Sequence, residues 1–335
     1  MFSPGPSALP SLTADKSPAV RLVIPTHTTQ NLAACLASLA RQTRPADSIV
    51  LTCDGDDPEI ERTAESTWAR VRGGAPRWGP LLIVRRPHTG APRLNQVRNN
   101  GLRALDRAVG IADSDLIVVL DGDTVLDETA LERHRALASR RYAAILPHRI
   151  DLGARRSGSL TVERLLDLGA PLPLARLCQP EDIERLTRRH RRARRQIWLR
   201  RFRADTFGLQ RSHKPRLLGG HHAVRADLLR AVNGYDEHFR GDGTDDDDLA
   251  RRLYMLRPRI RVTCPITDIL AFHLHHETRR PWGPAEAPDH ARFAQEISTP
   301  FAQRGWTSPL DQPELQISQC TGALRPVAAA QGARA

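Results

Sequence analysis

The chain has 335 residues, 40% hydrophobic and 26% charged, with a formal net charge of +12. That is the composition of an ordinary globular protein long enough to bury a real core. It excludes a membrane-spanning helix, because no apolar run approaches the ~20 residues such a helix needs.

Residues 1–18 read as a loose tail. Residues 1–17 are rich in Pro, Ser and Ala and lack a basic start followed by an apolar block, so a cytoplasmic protein is expected, one able to rest on a membrane surface. From Ala19 apolar runs alternate with helical patterns. Strands are predicted at residues 20–24, 49–53, 81–84 and 116–120, the last continuous and apolar as buried parallel strands are. Helices are predicted at 31–41, with Leu32, Cys35, Leu36 and Leu39 on one face, and at 93–109, with Leu94, Val97, Leu102 and Leu105. This alternation predicts an α/β fold: an open, mostly parallel twisted sheet with helices on both faces.

Residues 151–215 break the pattern and read as an Arg-rich helical insertion. Residues 188–195 are a dense cationic run, followed by Ile197, Trp198, Leu199 and Phe202. The globular pattern resumes near 216, with helices at 225–232 and 247–256 and a strand at 260–264, and the end from about Arg325 reads as frayed. The five cysteines, Cys35, Cys53, Cys178, Cys264 and Cys320, form no C-x-x-C pair, which argues against a disulfide framework or a structural zinc site. Of the 50 basic residues only Lys16 and Lys214 are lysine. A surface so basic can hold nucleic acid, anionic lipid or an acidic polymer, or reflect a plain preference for arginine.

In open α/β sheets ligands sit beyond the carboxyl ends of the strands. Those ends carry Pro25-Thr26, Cys53-Asp54-Gly55-Asp56 and Asp121-Gly122-Asp123. Two carboxylates one residue apart can both reach a hard cation, and Gly122 lets the backbone turn tightly between them; an Asp-Gly turn with no ligand reads the same locally. Asp245-Asp246-Asp247-Asp248 puts four like charges side by side, more than helix capping needs, so at least some must hold their protons more tightly. Phe272-His273-Leu274-His275-His276 offers imidazoles as metal ligands, with His273 and His275 on one face of a strand and His276 on the other. Asp54 is placed to accept a hydrogen bond from a base or ribose. Arg98, within a predicted helix, could grip a diphosphate with both arms of its guanidinium.

In order and spacing these pieces resemble family 2 glycosyltransferases of the GT-A fold, from Val20 to His276. Leu22-Val23-Ile24-Pro25-Thr26 is similar to that family's opening strand and Ser38-Leu39-Ala40-Arg41-Gln42 to its S-L-x-x-Q helix. Cys53-Asp54-Gly55-Asp56 is similar to its D-D-G-S turn, with Cys53 for the first Asp. Arg98-Asn99-x-Gly101 resembles its R-N-x-G segment, and Asp121-x-Asp123 its metal motif. Gly219-Gly220 through Gly234-Tyr235-Asp236-Glu237-His238-Phe239 resembles its G-G … G-G-F-D-E-x-F segment. The acidic cluster resembles the G-W-G-x-E-D-D-D of the galactosyltransferase-like branch, with Asp242 for the Trp.

The resemblance implies a nucleotide-sugar-binding half over 19–150, an acceptor-binding and catalytic half over 216–285, and a C-terminal extension over 286–335. It implies Asp246 as catalytic base and Gly220, Asp245 and Asp247 as acceptor contacts. It implies Pro25, Thr26, Asp54, Arg98 and Asp121 toward the donor, and Mn²⁺ or Mg²⁺ held by Asp121, Asp123 and His273 or His276. The expected reaction is an inverting displacement from a nucleotide diphosphate sugar, a UDP-sugar first, onto a hydroxyl of a glycan or lipid-linked acceptor. Two rivals are weighed. A nucleotidyltransferase would carry a Gly-rich loop after the first strand, where this chain has Pro25-Thr26-His27-Thr28-Thr29. A non-catalytic nucleic-acid-binding protein would interleave aromatics with its cations and would leave both acidic motifs unexplained.

Overall fold

The computed structural model describes residues 17–55, 57–72, 79–87, 93–167, 174–208, 213–240, 244–277, 287–311 and 315–320. The elements run β1 (Val20–Thr26), α1 (Leu32–Ala40), β2 (Ser48–Asp54), α2 (Pro58–Arg72), β3 (Leu81–Arg86), α3 (Leu94–Val109), β4 (Leu116–Leu120), β5 (Thr124–Leu126), α4 (Ala130–Ser139), β6 (Ala144–Ile145) and β7 (His148–Asp151). Then come α5 (Ala154–Ser157), α6 (Val162–Leu166), a 3-10 turn (Leu174–Leu177), α7 (Pro180–Phe207), β8 (His221–Arg225), α8 (Ala226–Ala231), α9 (Asp245–Met255), β9 (Val262–Thr263), β10 (Leu270–His273), α10 (Ala287–Ala294) and β11 (Gln316–Cys320).

The main sheet has eight strands in the order β11-β3-β2-β1-β4-β8-β6-β9. Its centre, β3-β2-β1-β4, is parallel. β8 and β11 run antiparallel beside β4 and β3. The expected open, mostly parallel sheet is therefore present. Strand alternation divides the core into two layers. Leu22, Ile24, Ile49, Leu51, Leu81, Ile83, Leu116 and Val118 face α1, α2 and α4, where Leu36, Leu39, Trp68 and Leu131 are buried. Val23, Val50, Leu82, Val84, Ile117 and Val119 face α3, α8 and α9, where Leu102, Leu105, Leu228, Leu249 and Leu253 are buried. Gly101 makes the second layer tight: a Cβ there would lie 2.8 Å from Val23 Cγ1.

The C-terminal segment is part of this core. β11 closes the sheet edge on β3, and Trp306 is buried against the second layer with the Arg230 guanidinium 4.8 Å over its ring. The frayed end expected from Arg325 lies outside the described residues, as do the tail up to residue 16 and Asp242. Among the described residues no helix is long and apolar enough to cross a membrane.

A second sheet, β5-β10-β7, lies beyond the carboxyl end of β4. It positions the histidine segment. His273 pairs in register with Thr124 on one side and Asp151 on the other. Between the sheets and the acidic cluster, α3 acts as a clamp. Asn99 donates to the Tyr235 carbonyl (2.8 Å) and to Glu237 (2.9 Å) and accepts from the Tyr235 N–H (3.1 Å), while Asn95 donates to the Asp236 carbonyl (2.9 Å). These bonds fix the segment that leads into α9. Gly234, at φ 67°, turns that segment against Asn99, where a side chain would collide.

Candidate active site

The chain leaves β4 at Leu120 and turns at once. The Asp121 N–H donates to the Gly220 carbonyl (3.1 Å), the Gly122 N–H to the Pro25 carbonyl (3.2 Å) and the Thr124 N–H to the Asp121 carbonyl (3.0 Å). A Cβ on Gly122 would come within 2.9 Å of Thr26 Oγ1, so glycine lets the turn sit on the end of β1. Pro25 and Thr26 thus support the Asp121-Gly122-Asp123 turn from beneath.

The turn sends its two carboxylates to different partners. Asp123 Oδ2 lies 3.3 Å from His273 Nε2 and 3.2 Å from His276 Nε2, and the two nitrogens are 3.3 Å apart. Asp121 Oδ2 instead meets the Arg149 guanidinium at 3.3 Å. The histidine alternation expected from the sequence does not hold. β10 ends at His273, so the chain turns and brings His276 back beside it, while His275 faces solvent.

This triangle fits a divalent ion. Ligands at ~2.1 Å from one metal stand about 3.0–3.4 Å from each other in octahedral or tetrahedral geometry, and two imidazoles with one carboxylate on a shared face are a common transition-metal set. Asp123, His273 and His276 are the one such group among the described residues. Behind them Asp151 Oδ1 lies 3.1 Å from His273 Nδ1, the arrangement that orients a metal-binding imidazole. Burial alone would push Asp123 up, but the hydrogen bond and charge of His273, with Arg149 and His276, hold it below its usual value. Burial would lower His273, yet its bonds to Asp123 and Asp151 lift it to about 9. Burial and the Asp123 charge raise Asp121, against the pull of Arg98 and Arg149.

The acidic cluster opens α9, and its four carboxylates do not share one environment. Asp245 takes a hydrogen bond from Arg98 Nη1 at 2.6 Å. Asp247 is held by Arg216 Nε at 2.8 Å from each oxygen. Asp248 is held by Arg251 and Arg252 at 2.8 and 2.7 Å. Their side chains are only 2–3% exposed, against 17% for Asp246. Asp245 is thus capped by the buried Arg98 and Asp247 by the exposed Arg216, so both carboxylates are engaged by arginines where the sequence reading expected acceptor contacts.

Arg98 also departs from expectation. Its guanidinium is buried over the Tyr235 ring at 5.1 Å and donates to Asn95, Asp245 and Asp246, so protein groups engage it where the sequence reading expected a diphosphate. One cation then faces two carboxylates. Burial, with the Asp245 charge beside it, pushes Asp246 up to about 8 in spite of Arg98. His222 and Tyr235 complete the floor, with Nε2 and hydroxyl 2.7 Å apart, and burial keeps His222 neutral.

Gly219 and Gly220 join the two clusters. A Cβ on Gly219 would overlap the Asp246 carboxylate and the Arg98 guanidinium, and one on Gly220 would overlap Arg149 and Asp121. The bare backbone between them lets Asp246 and the Asp121–Asp123 turn share one corner. At the neighbouring strand end Asp54 accepts from Arg86 Nε at 3.0 Å and from the Arg93 N–H at 3.1 Å, with Arg86 Nη2 2.9 Å from the same carboxylate. Both oxygens have protein partners. The sequence reading missed Arg149, Asp151 and Arg216.

Residues 18–264 match a family model described as glycosyltransferase like family 2. No curated protein matches the chain. Among solved structures, TarS from S. aureus is similar at 13% identity and a TM-score of 0.43, with 77% of this chain covered but only 37% of TarS. The chain thus spans well under half of that relative. Glucosyl-3-phosphoglycerate synthase from Mycobacterium tuberculosis, in complex with Mn²⁺, uridine diphosphate and phosphoglyceric acid, is similar at 12% identity and a TM-score of 0.40, with 88% and 87% of the two chains covered. The family model reaches the family and gives no support to the galactosyltransferase-like branch.

Proposed function

The chain belongs to glycosyltransferase family 2, and from that premise we propose that it moves a sugar from a UDP-sugar to a hydroxyl of a glycan or lipid-linked acceptor, with inversion and with Asp246 as base. The observation that carries this reading is the contrast within α9: three aspartates are locked on arginines, and Asp246 alone keeps partial exposure, at the glycine corner beside the Asp121–Asp123 turn.

In the proposed reaction the acceptor oxygen attacks the anomeric carbon as the bond to the diphosphate breaks. Asp246 removes the hydroxyl proton. A carboxylate pushed up to about 8 is a better base than an ordinary one, and its affinity lies close to working pH. Asp245 and Arg98 position Asp246, and Gly219 gives it room. Asp123, His273 and His276 would hold Mn²⁺ or Mg²⁺, with Asp151 orienting His273. When bound, such a cation supplies positive charge to the departing diphosphate. Arg149, 30% exposed beside Asp121, is available to the same phosphates once Asp121 releases it. Pro25, Thr26 and Asp54 remain the proposed wall toward the nucleoside, with Asp54 acting through spare lone pairs or through Arg86.

Consumption of a panel of nucleotide sugars, with and without Mn²⁺, tests the reading. The expected result is release of uridine diphosphate that depends on the cation. Turnover of nucleoside triphosphates, with every nucleotide sugar left intact, would point to a nucleotidyltransferase instead.

A further inference from the structure

α7 is 28 residues long and begins and ends cleanly. Pro180 opens it, Gln179 and Asp182 exchange capping bonds, and Gly208 in the left-handed region closes it. Its inward face buries Asp182, Leu186, Ala193 and Ala204. Arg188, Arg191, Arg195, Trp198 and Phe202 follow one another by three, four, three and four residues, which places them in one stripe on the opposite face. The helix holds ten arginines against four carboxylates, a net +6, half the charge of the whole chain.

The stripe ends in apolar rings that the protein leaves in solvent. Trp198 is 60% and Phe202 46% exposed. They stack on each other with centroids 5.5 Å apart and planes 8° from parallel, and Phe207 abuts Phe202 at 6.1 Å. Beside this end lies a cavity of ≈ 240 Å³ lined by Arg200, Arg201, Arg259 and Arg261, with Asp205 as its one carboxylate. Asp205 pairs with Arg259. Arg200 lies over the Tyr254 ring at 4.3 Å. Four guanidiniums against one carboxylate leave the cavity with uncompensated positive charge that attracts an anion.

From this juxtaposition we propose that α7 docks the protein on an anionic phospholipid surface. The Trp198–Phe202 pair enters the boundary between headgroups and acyl chains, the arginine stripe lies over the headgroups, and the four-arginine cavity seats a headgroup phosphate. A helix with a cationic face and protruding Trp and Phe is built for that interface. A single-stranded nucleic acid fits less well. Its bases need aromatic faces spread along the strand, and here the two rings spend one face each on the other while Phe207 abuts Phe202. The inference rests on α7 and the adjoining cavity, independently of the reaction proposed above.

Sedimentation with phosphatidylcholine vesicles, with and without phosphatidylglycerol, tests it, with a single-stranded RNA run in parallel. The wild-type protein binds the anionic vesicles, spares the neutral ones, and releases as salt rises. Trp198→Ala with Phe202→Ala, and separately Arg188, Arg191 and Arg195→Gln, each weaken vesicle binding by about tenfold or more. These side chains are exposed, so melting stays near wild type. A blue shift of fluorescence on anionic vesicles, absent in Trp198→Phe, reports insertion directly. Equal binding to neutral vesicles, unchanged binding of both stripe variants, or binding to RNA but not to vesicles would overturn the proposal.

Discussion

The Arg98 guanidinium lies 3.1 Å from the Asp246 carboxylate while gripping Asp245 at 2.6 Å, so one buried cation positions the proposed base and opposes the rise in proton affinity that burial and Asp245 impose on it. Arg98→Met would leave two carboxylates without their counter-charge. Breaking a buried pair this way typically costs ~3–5 kcal/mol. Denaturant unfolding should show a loss of that order, and wild-type stability in Arg98→Met would contradict the arrangement.

The pH dependence of Asp246 has two readouts of opposite sense. Its folded-state pKa is raised to about 8, well above the usual carboxylate range, so the folded protein binds the proton more tightly. Between that range and the raised value stability falls as pH rises, and the cost is fully present above the latter. A base must be ionised, so turnover should rise through about pH 8. Asp246→Asn should therefore melt higher than wild type at pH 9 and show little difference near pH 4. Equal gains at both pH values would reject a raised Asp246.

Metal affinity should follow the triangle, not the Asp-Gly-Asp motif as a whole. Asp123→Asn should nearly abolish Mn²⁺ binding measured calorimetrically without substrate. Asp151→Ala, which removes the partner of His273, should weaken it about 10–100-fold. Asp121→Asn should do less than Asp123→Asn, because Asp121 faces Arg149. The reverse order between Asp121 and Asp123 would exclude the ligand set drawn from the structure.

Gly219→Ala tests the shared corner. Its methyl would press on Asp246 and Arg98. Transfer should fall with Mn²⁺ affinity little changed. Unimpaired turnover would mean that Asp246 has room to spare.

The sheet was legible because its central strands are continuous apolar runs. Leu116–Leu120 was located to the residue, since a buried parallel strand has no polar face to blur its ends. The acidic motifs were legible as motifs, but their partners were not. The repulsion within Asp245–Asp248 is relieved by Arg98, Arg216, Arg251 and Arg252, two of them far away in sequence. Among so many arginines no local signal singles these out. Asp151 reaches His273 only through the β7–β10 pairing, a register that residue patterns do not encode over 122 positions. The helix over Pro58–Arg72 and the strand over Gln316–Cys320 were passed over, the second because three of its five residues are polar and only Cys320 is buried at this sheet edge.

The central claim is that Asp246 takes the proton of the acceptor. The direct measurement is transfer by Asp246→Asn from the donor that the wild type consumes, alongside binding of uridine diphosphate and Mn²⁺. Asparagine keeps size and hydrogen bonding but cannot act as the base. The account predicts a fall in transfer of ~10²–10⁴-fold, with nucleotide and metal binding near wild type. Full transfer by Asp246→Asn, or a larger loss from Asp248→Asn, would contradict it and move the base elsewhere in the cluster.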